Sequence, residues 1–85
     1  MFALIRVLWY YFNMEFVYAV VVEQGRDGSY SAYVPDLPGC VACGDTPKEV
    51  RKLIREAVKL HIASLREHGE PVPKPTSKTC TVRAA

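Results

Sequence analysis

Five carboxylates are the side chains of this sequence best suited to chemistry: Glu23, Asp27, Asp36, Asp45 and Glu49. Carboxylate oxygens bind divalent metal ions, and ions held by such a cluster can activate water against a phosphodiester. Brought together on one sheet, these side chains would form a metal-dependent nuclease. Structural roles explain them more simply, because most of them lie in turn sequences or at the start of a helix. The sequence therefore predicts no catalytic residue and no metal site.

The cysteines and histidines are the other candidates: Cys40, Cys43, Cys80, His61 and His68. Cys40 and Cys43 have the spacing of a redox pair, but a reactive thiol of that kind lies at a helix start. These two lie in a predicted strand, where a spacing of three places them on opposite faces. The set matches no zinc-finger spacing, and we expect structural thiols and no cofactor.

Composition indicates one small domain with a thin core. The chain has 85 residues, 49% of them hydrophobic, and a net charge of +2, which is too small to argue for nucleic acid. A domain this small buries little of its surface, so we expect a homo-oligomer, either a dimer or a tetramer. An odd number of cysteines without a credible export signal favours free thiols and a cytoplasmic location.

Residues 30–49 contain two changes of secondary structure. Alternating apolar positions predict a strand that starts at Tyr30 and ends at Pro35. The pair Pro38-Gly39 is typical of a tight turn, and a short strand follows from Cys40 to Gly44. Thr46-Pro47-Lys48-Glu49 then combines a hydroxyl cap, a proline and a glutamate in the order that starts a helix.

Residues 16–24 are rich in β-branched and aromatic side chains, which predicts a strand. Their nearly continuous apolar character indicates burial on both faces. Two glycines and an Asp-Gly pair follow in residues 25–28 and predict a hairpin into the strand at Tyr30. The three strands would form an antiparallel meander, so the sequence predicts an α+β fold in which one long helix crosses this sheet.

The helix is predicted to run from Pro47 to about His68, with Gly69 as its C-terminal cap. Its predicted core face contains Val50, Ile54, Ala57, Val58, His61, Ile62 and Leu65, widened by Leu53 and Leu60. A basic stripe lies on another side: Lys48, Lys52, Arg55, Lys59 and Arg66. This stripe is interpreted either as a solvated helix face, favoured because glutamates are interspersed, or as a nucleic-acid surface.

The two ends of the chain differ from its middle. Residues 1–13 are apolar and aromatic, and we expect an N-terminal extension upstream of a start at Met14 rather than a signal peptide or a membrane span. Residues 70–78 are proline-rich and extended. Residues 79–83 have the composition of an edge strand. The predicted organisation is therefore an extension (1–13), a domain (14–75) and a tail or edge strand (76–85).

Two motifs resemble the HicB antitoxin family: Pro-Asp-Leu-Pro-Gly-Cys at residues 35–40 and Gly-Asp-Thr at residues 44–46. The resemblance runs from about Met14 to Pro75. It implies a β-β-β-α-β domain with a partial RNase H-like fold that lacks catalytic carboxylates and assembles into oligomers. It also implies that the chain binds and blocks a small HicA-type RNA-cleaving toxin and has no enzymatic activity of its own.

Full-length relatives usually carry a C-terminal DNA-binding domain, and only residues 76–85 follow the match, so the resemblance is to a short form. The residues predicted to contact a partner are Tyr33, Asp36, Leu37, Pro38 and Gly39, because a turn with two prolines needs little ordering on binding. The alternatives are a nucleic-acid-binding module that uses the basic stripe and an orphan relative without a partner.

Overall fold

The computed structural model describes residues 16–85, which form three strands followed by one helix. The strands are β1 (Val21–Gln24), β2 (Tyr30–Tyr33) and β3 (Val41–Gly44), and the helix is α1 (Pro47–Glu67). The strands pair antiparallel in the order β1-β2-β3, and α1 lies against β2 and β3. The predicted α+β class, the meander and the long helix are confirmed.

Local hydrogen bonds explain the hairpin between β1 and β2. The backbone N–H of Gly25 donates to the carbonyl of Ser29 at 2.8 Å, and Gly28 adopts a φ of 86°. The carboxylate of Asp27 accepts from the N–H of Ser29 at 3.0 Å and from its hydroxyl at 2.7 Å. These bonds lower the pKa of Asp27, the bond from the Ser29 hydroxyl most strongly. Asp27 is therefore a turn residue, as predicted.

The second turn is built by residues 34–40. The N–H of Leu37 donates to the carbonyl of Val34, and the N–H of Cys40 donates to the carbonyl of Leu37, each at 3.0 Å. Gly39 has a φ of 84°, which an L-residue adopts only with strain, and it follows Pro38 as in a type II turn. The double turn directs Leu37 inward, where its side chain is 0% exposed.

Both ends of α1 have the predicted caps. The hydroxyl of Thr46 accepts from the N–H of Glu49 at 3.1 Å, and Pro47 opens the helix. At the other end Gly69 has a φ of 68°, and the N–H of Glu70 donates to the carbonyl of Leu65 at 2.8 Å. This is the Schellman arrangement, in which a glycine beyond the helix allows the last carbonyls to be satisfied.

The core lies between α1 and the helix-facing side of β2 and β3. It consists of Ala32, Val34, Leu37, Cys40, Val50 and Ile54. The rest of the predicted helix core face is only half-buried, and Leu60 is 72% exposed. A helix of 21 residues is about 31 Å long, whereas strands of four residues span about 13 Å, so α1 is much longer than the strands on which it packs.

The first strand differs from its prediction in length and in burial. Regular pairing covers Val21–Gln24, not residues 16–24. Burial on both faces was wrong, since Val17 is 81% exposed and Val22 is 42% exposed. The reason is that α1 covers β2 and β3 and leaves the helix-facing side of β1 largely open, and that no element of the described residues packs on the opposite side of the sheet.

The chain after the helix has no regular secondary structure. The edge strand considered for residues 79–83 does not form, and residues 76–85 are a tail. These residues include one large apolar side chain, Val82, which is 85% exposed, so a strand here would bury too little surface to offset its ordering. Residues 1–13 lie outside the described part of the chain. Within that part, no helix has the length and apolar character required to cross a membrane.

Candidate functional site

The five carboxylates do not meet in the described residues, 16–85. No three His, Cys, Asp or Glu side chains of that range are grouped so that they could hold a metal ion. Asp27 belongs to the hairpin, and Asp36 lies at the opposite end of the sheet, where it binds the tail. The folded arrangement thus offers no carboxylate cluster on which a nuclease mechanism could be built from these residues.

Asp36 instead holds the chain beyond the helix in a cluster we call the tail clamp, formed by Asp36, Thr76 and Ser77. The carboxylate accepts from the N–H groups of Thr76 and Ser77, each at 3.0 Å, and from both hydroxyls, each at 2.9 Å. These bonds lower the pKa of Asp36, the one from the Ser77 N–H most strongly. All four donors come from residues at least 40 positions further along the chain.

A second bond attaches the segment just before the tail to the start of the described chain. The hydroxyl of Tyr18 donates to the carbonyl of Pro73 at 2.5 Å. Burial and, to a smaller extent, the nearby charge of Asp36 raise the pKa of Tyr18 above its ordinary value. The tail therefore crosses the end of the sheet where β1 begins and β2 ends. Sequence reasoning missed this arrangement and assigned Asp36 to its own turn.

Replacing Asp36 with alanine is expected to release the tail, because four hydrogen bonds lose their common acceptor. Amide hydrogen exchange of Thr76 and Ser77 would accelerate by about tenfold or more, as expected for a segment that opens locally. The matched control is Asp27→Ala, which also removes a carboxylate bonded to a serine but lies in the hairpin. Unchanged exchange at Thr76 and Ser77 in Asp36→Ala would contradict the clamp.

Acid should release the tail as well. Since the pKa of Asp36 is lowered on folding, its contribution is fully present above the ordinary value of 3.8 and is lost as the pH falls through the lower folded value. We expect protection of the Thr76 and Ser77 amides, after correction for intrinsic exchange, to be constant near neutral pH, to begin to fall below about 4 and to be lost only at lower pH. Protection that weakened near neutral pH would argue against a carboxylate acceptor.

The residues predicted to contact a partner are divided by the fold. Tyr33, Pro38 and Gly39 are exposed at the surface. The side chain of Leu37 is fully buried in the core, and the carboxylate of Asp36 is occupied by the tail clamp. The first three therefore present a surface, while the other two hold the turn in shape and anchor the tail.

The sheet face opposite α1 carries an apolar row that sequence reasoning did not identify. Val21, Tyr33 and Val41 are register neighbours across the three strands, so their side chains share this face, and we call them the outer row. Tyr33 is 41% exposed and Val41 is 64% exposed. Pro38 and Gly39 lie in the turn that joins the two strands bearing these side chains. Alternation along β3 could have indicated Val41, but the strand is only four residues long.

All five side chains of the basic stripe are exposed. Three of them border an open groove between α1 and β1, and Arg51 joins them there. The apolar floor of this β1–α1 groove includes Phe16, Tyr18, Val20, Val22, Val58 and Ile62, and its basic rim consists of Arg51, Arg55, Lys59 and Arg66. Lys48 and Lys52 lie outside the groove, at the start of the helix.

The cysteine and histidine side chains are not grouped into a site in the described residues. Cys40 is 3% exposed whereas Cys43 is exposed, and all three cysteines are free. Burial raises the pKa of Cys40, which disfavours the reactive thiolate. His61 is half-buried on α1, and Nδ1 of His68 lies 2.7 Å from the carbonyl of Ser64. Strand β3 begins at Val41 and not at Cys40 as predicted, so Cys40 lies just before it, and the burial of Cys40 and exposure of Cys43 agree with the prediction of opposite sides.

Comparison with known proteins shows which proteins this chain is related to, which its geometry alone does not. A family model described as "HicB_like antitoxin of bacterial toxin-antitoxin system" matches residues 18–84. A UPF0150 protein, Ta0767, of Thermoplasma acidophilum is 40% identical over 67 residues, which cover 79% of this chain and 97% of that protein. A second UPF0150 protein, ssr1765 of Synechocystis, is 46% identical over 57 residues, 67% of this chain and 72% of its own length.

A solved structure is similar as well. The crystal structure of the N-terminal domain of Burkholderia pseudomallei antitoxin HicB has a TM-score of 0.57 to this chain and 32% sequence identity. The match covers 74% of this chain and 69% of that one. The similarity therefore extends over the sheet and helix described above and is not limited to the two turn motifs.

Proposed function

The chain belongs to the family of HicB-like antitoxins of bacterial toxin–antitoxin systems, and from this we propose that it neutralises a small HicA-type RNA-cleaving toxin by binding it. The observation that carries the proposal is the family match over residues 18–84, which spans the whole sheet and helix. In this proposal the chain catalyses nothing, and inhibition results from covering the toxin's RNA site. We place the complex in the cytoplasm, where the toxin's RNA would be found.

We assign toxin binding to the outer row together with Pro38 and Gly39. Tyr33 and Val41 are apolar, exposed and adjacent in the sheet, and the neighbouring turn is held by its own hydrogen bonds. A preorganised surface of this kind loses little conformational entropy on binding. Tyr33 is also of a residue type that is enriched among the anchors that supply most of the energy in protein interfaces.

The partner itself is tested first. The full chain is co-expressed with the small reading frame beside its gene, the complex is isolated, and RNA cleavage by the partner is measured with and without this chain. We expect a complex with a dissociation constant of about micromolar or tighter and loss of RNA cleavage at equimolar ratio. A neighbouring protein that cleaves RNA and is neither bound nor inhibited would refute the proposal.

The surface is tested with the double variant Tyr33→Arg, Val41→Arg. Two charged side chains in a desolvated contact are expected to weaken toxin binding by about 30-fold or more, measured by titration calorimetry. The matched control is Leu60→Arg, which charges a hydrophobic residue of α1 that is 72% exposed. Thermal melts would establish that both variants fold. If the double variant and the control bound the toxin with equal affinity, the toxin-binding surface would lie elsewhere on the chain. The proposal that a toxin is bound would still stand.

A homo-oligomer remains part of the proposal. Six residues make up the buried core of the described chain, and β1 has an unpaired edge within the described sheet. A small core and an open edge both favour association. Light scattering on the full chain should give the mass of a dimer or a tetramer, and a monomer at about 100 μM would contradict this prediction, because specific dimers form well below that concentration.

Nucleic-acid binding is the alternative, supported by the exposure of all five stripe residues. It predicts affinity for RNA or DNA that falls steeply with salt, because bound Lys and Arg release counterions. Fluorescence anisotropy with labelled RNA at about 50 mM salt would detect it. The remaining alternative is an orphan relative of the family. Such a protein would bind neither nucleic acid nor a toxin.

A further inference from the structure

The β1–α1 groove is an apolar surface that the fold leaves uncovered. Its floor has two sides. One is formed by alternate residues of the first described segment, Tyr18, Val20 and Val22, and the other by Val58 and Ile62 of α1. In register, Val22 pairs with Ala32, a core residue that is 1% exposed beneath the helix, yet Val22 itself is 42% exposed.

The uncovered space lies in the helix layer. Val22 shares a sheet face with Ala32, the face on which α1 rests, so whatever covers β1 lies beside α1 and not at the sheet edge. Helices packed side by side on a sheet are about 8–10 Å apart, and their apolar stripes then contact both the sheet and each other. A second helix along β1 would cover the apolar residues on both sides of the groove floor.

The rim of the groove has one sign of charge. Arg51, Arg55 and Lys59 recur at intervals of four along α1, with Arg66 further on, and among the described lining residues none carries a carboxylate. Basic groups beside an apolar floor suit a partner that has acidic residues flanking an apolar stripe. Complementary charges of this kind also increase the rate of association, and added salt weakens the effect by screening them.

We propose that the β1–α1 groove binds an acidic amphipathic helix of a partner protein. The groove lies on the sheet face opposite the outer row, so this interaction is separate from the toxin-binding surface and does not depend on it. A chain with both surfaces could hold a toxin on one face and the acidic helix of another protein on the other.

A second copy fits the groove less well. In a two-fold dimer across this surface, each copy would place its own α1 beside the other, and Arg51, Arg55 and Lys59 would face their equivalents. Like charges at such distances oppose association. Residues 1–15 of the chain itself contain Arg6 and a single acidic residue, Glu15, so their net charge is zero and they complement a rim of four basic side chains poorly.

The test uses the full chain and a fluorescein-labelled helical peptide of about 18 residues, with leucines at intervals of three and four flanked by glutamates. Binding is followed by fluorescence anisotropy. We expect a dissociation constant in the micromolar range that rises with salt between about 50 and 300 mM. The variant Arg55→Glu, Lys59→Glu should weaken binding at least tenfold. Its matched control is Lys48→Glu, Lys52→Glu, which has the same spacing and the same charge change outside the groove.

A charge exchange completes the design. A peptide with lysines in place of the glutamates should fail to bind the natural chain and should bind Arg55→Glu, Lys59→Glu more tightly than it binds the natural chain, because the reversal takes the rim from four positive charges to a net charge of zero. Equal loss of binding in the two double variants, or no binding to the natural chain, would overturn the proposal. The proposal would also be wrong if Arg55→Glu, Lys59→Glu changed the mass of the particle in solution while no peptide bound. The groove would then be an interface between two copies of the chain.

The chain's own N-terminal segment is tested separately. Trp9 is the single tryptophan of the chain, and its emission reports on its surroundings. If the peptide fails to bind and Val22→Asp shifts this emission, the groove belongs to that segment and the proposal is wrong. Circular dichroism would verify that Val22→Asp retains the fold.

Discussion

Leu37→Ala is expected to lower the free energy of unfolding by about 2–5 kcal/mol, the range found when a fully buried leucine is truncated. The side chain is 0% exposed and lies in a core of six residues, so few neighbours can move in to fill the cavity. Domains of this kind are stable by about 5–15 kcal/mol in total. The variant should therefore be close to unfolding at ordinary temperatures.

Urea denaturation followed by circular dichroism measures this loss. The matched control is Leu60→Ala, the same truncation at a helix position that is 72% exposed, and we expect a change within about 0.5 kcal/mol. Similar losses in the two variants would show that Leu37 is not the centre of the core. Because Leu37 was also a predicted contact residue, the pair separates a role in the fold from a role in binding.

Gly44→Val is expected to have the second largest effect on stability, a loss of about 1–3 kcal/mol from overpacking. A Cβ at Gly44 would lie 3.0 Å from the backbone nitrogen of Val50 and 3.3 Å from its Cα. Both atoms belong to the first turn of α1 and have no freedom to rotate away. The helix would have to shift relative to β3, which would disturb the contacts of Val50 and Ile54.

The control for this variant is Cys43→Val, which introduces the same side chain at the neighbouring, exposed residue of β3. We expect a change within about 0.5 kcal/mol there, since valine suits a strand and nothing is displaced. Thermal melts of both variants provide the comparison. A fully stable Gly44→Val would mean that α1 is not held as closely against the strand as this spacing requires.

Features formed by neighbouring residues were predicted from the sequence. The hairpin at residues 25–28, the turn at Pro38-Gly39, the Thr46 cap and the Gly69 cap all form as expected. Each depends on residues within about five positions of one another, whose side chains or φ angles favour one local geometry. The family was also identified from two short motifs, because the turns they encode are local.

Features that depend on distant residues were missed or misjudged. Asp36 was assigned to its own turn, whereas its carboxylate binds Thr76 and Ser77. The segment before and including β1 was expected to be buried on both faces, yet Val22 is 42% exposed. Leu60 was expected to widen the apolar face of α1, but it is 72% exposed, whereas Val58 and Ile62 pack against the core.

The sequence by itself determined the order of the three strands and the helix, the turns and caps between them, and the family. The tertiary structure decided which apolar residues are covered, where the tail is held, and which predicted contact residues reach the surface. The physical reason is that turn and cap energies arise between near neighbours, whereas burial depends on where α1 lies. That position leaves the helix-facing side of β1 open and so forms the β1–α1 groove. The spacing of residues along the chain does not specify where α1 lies.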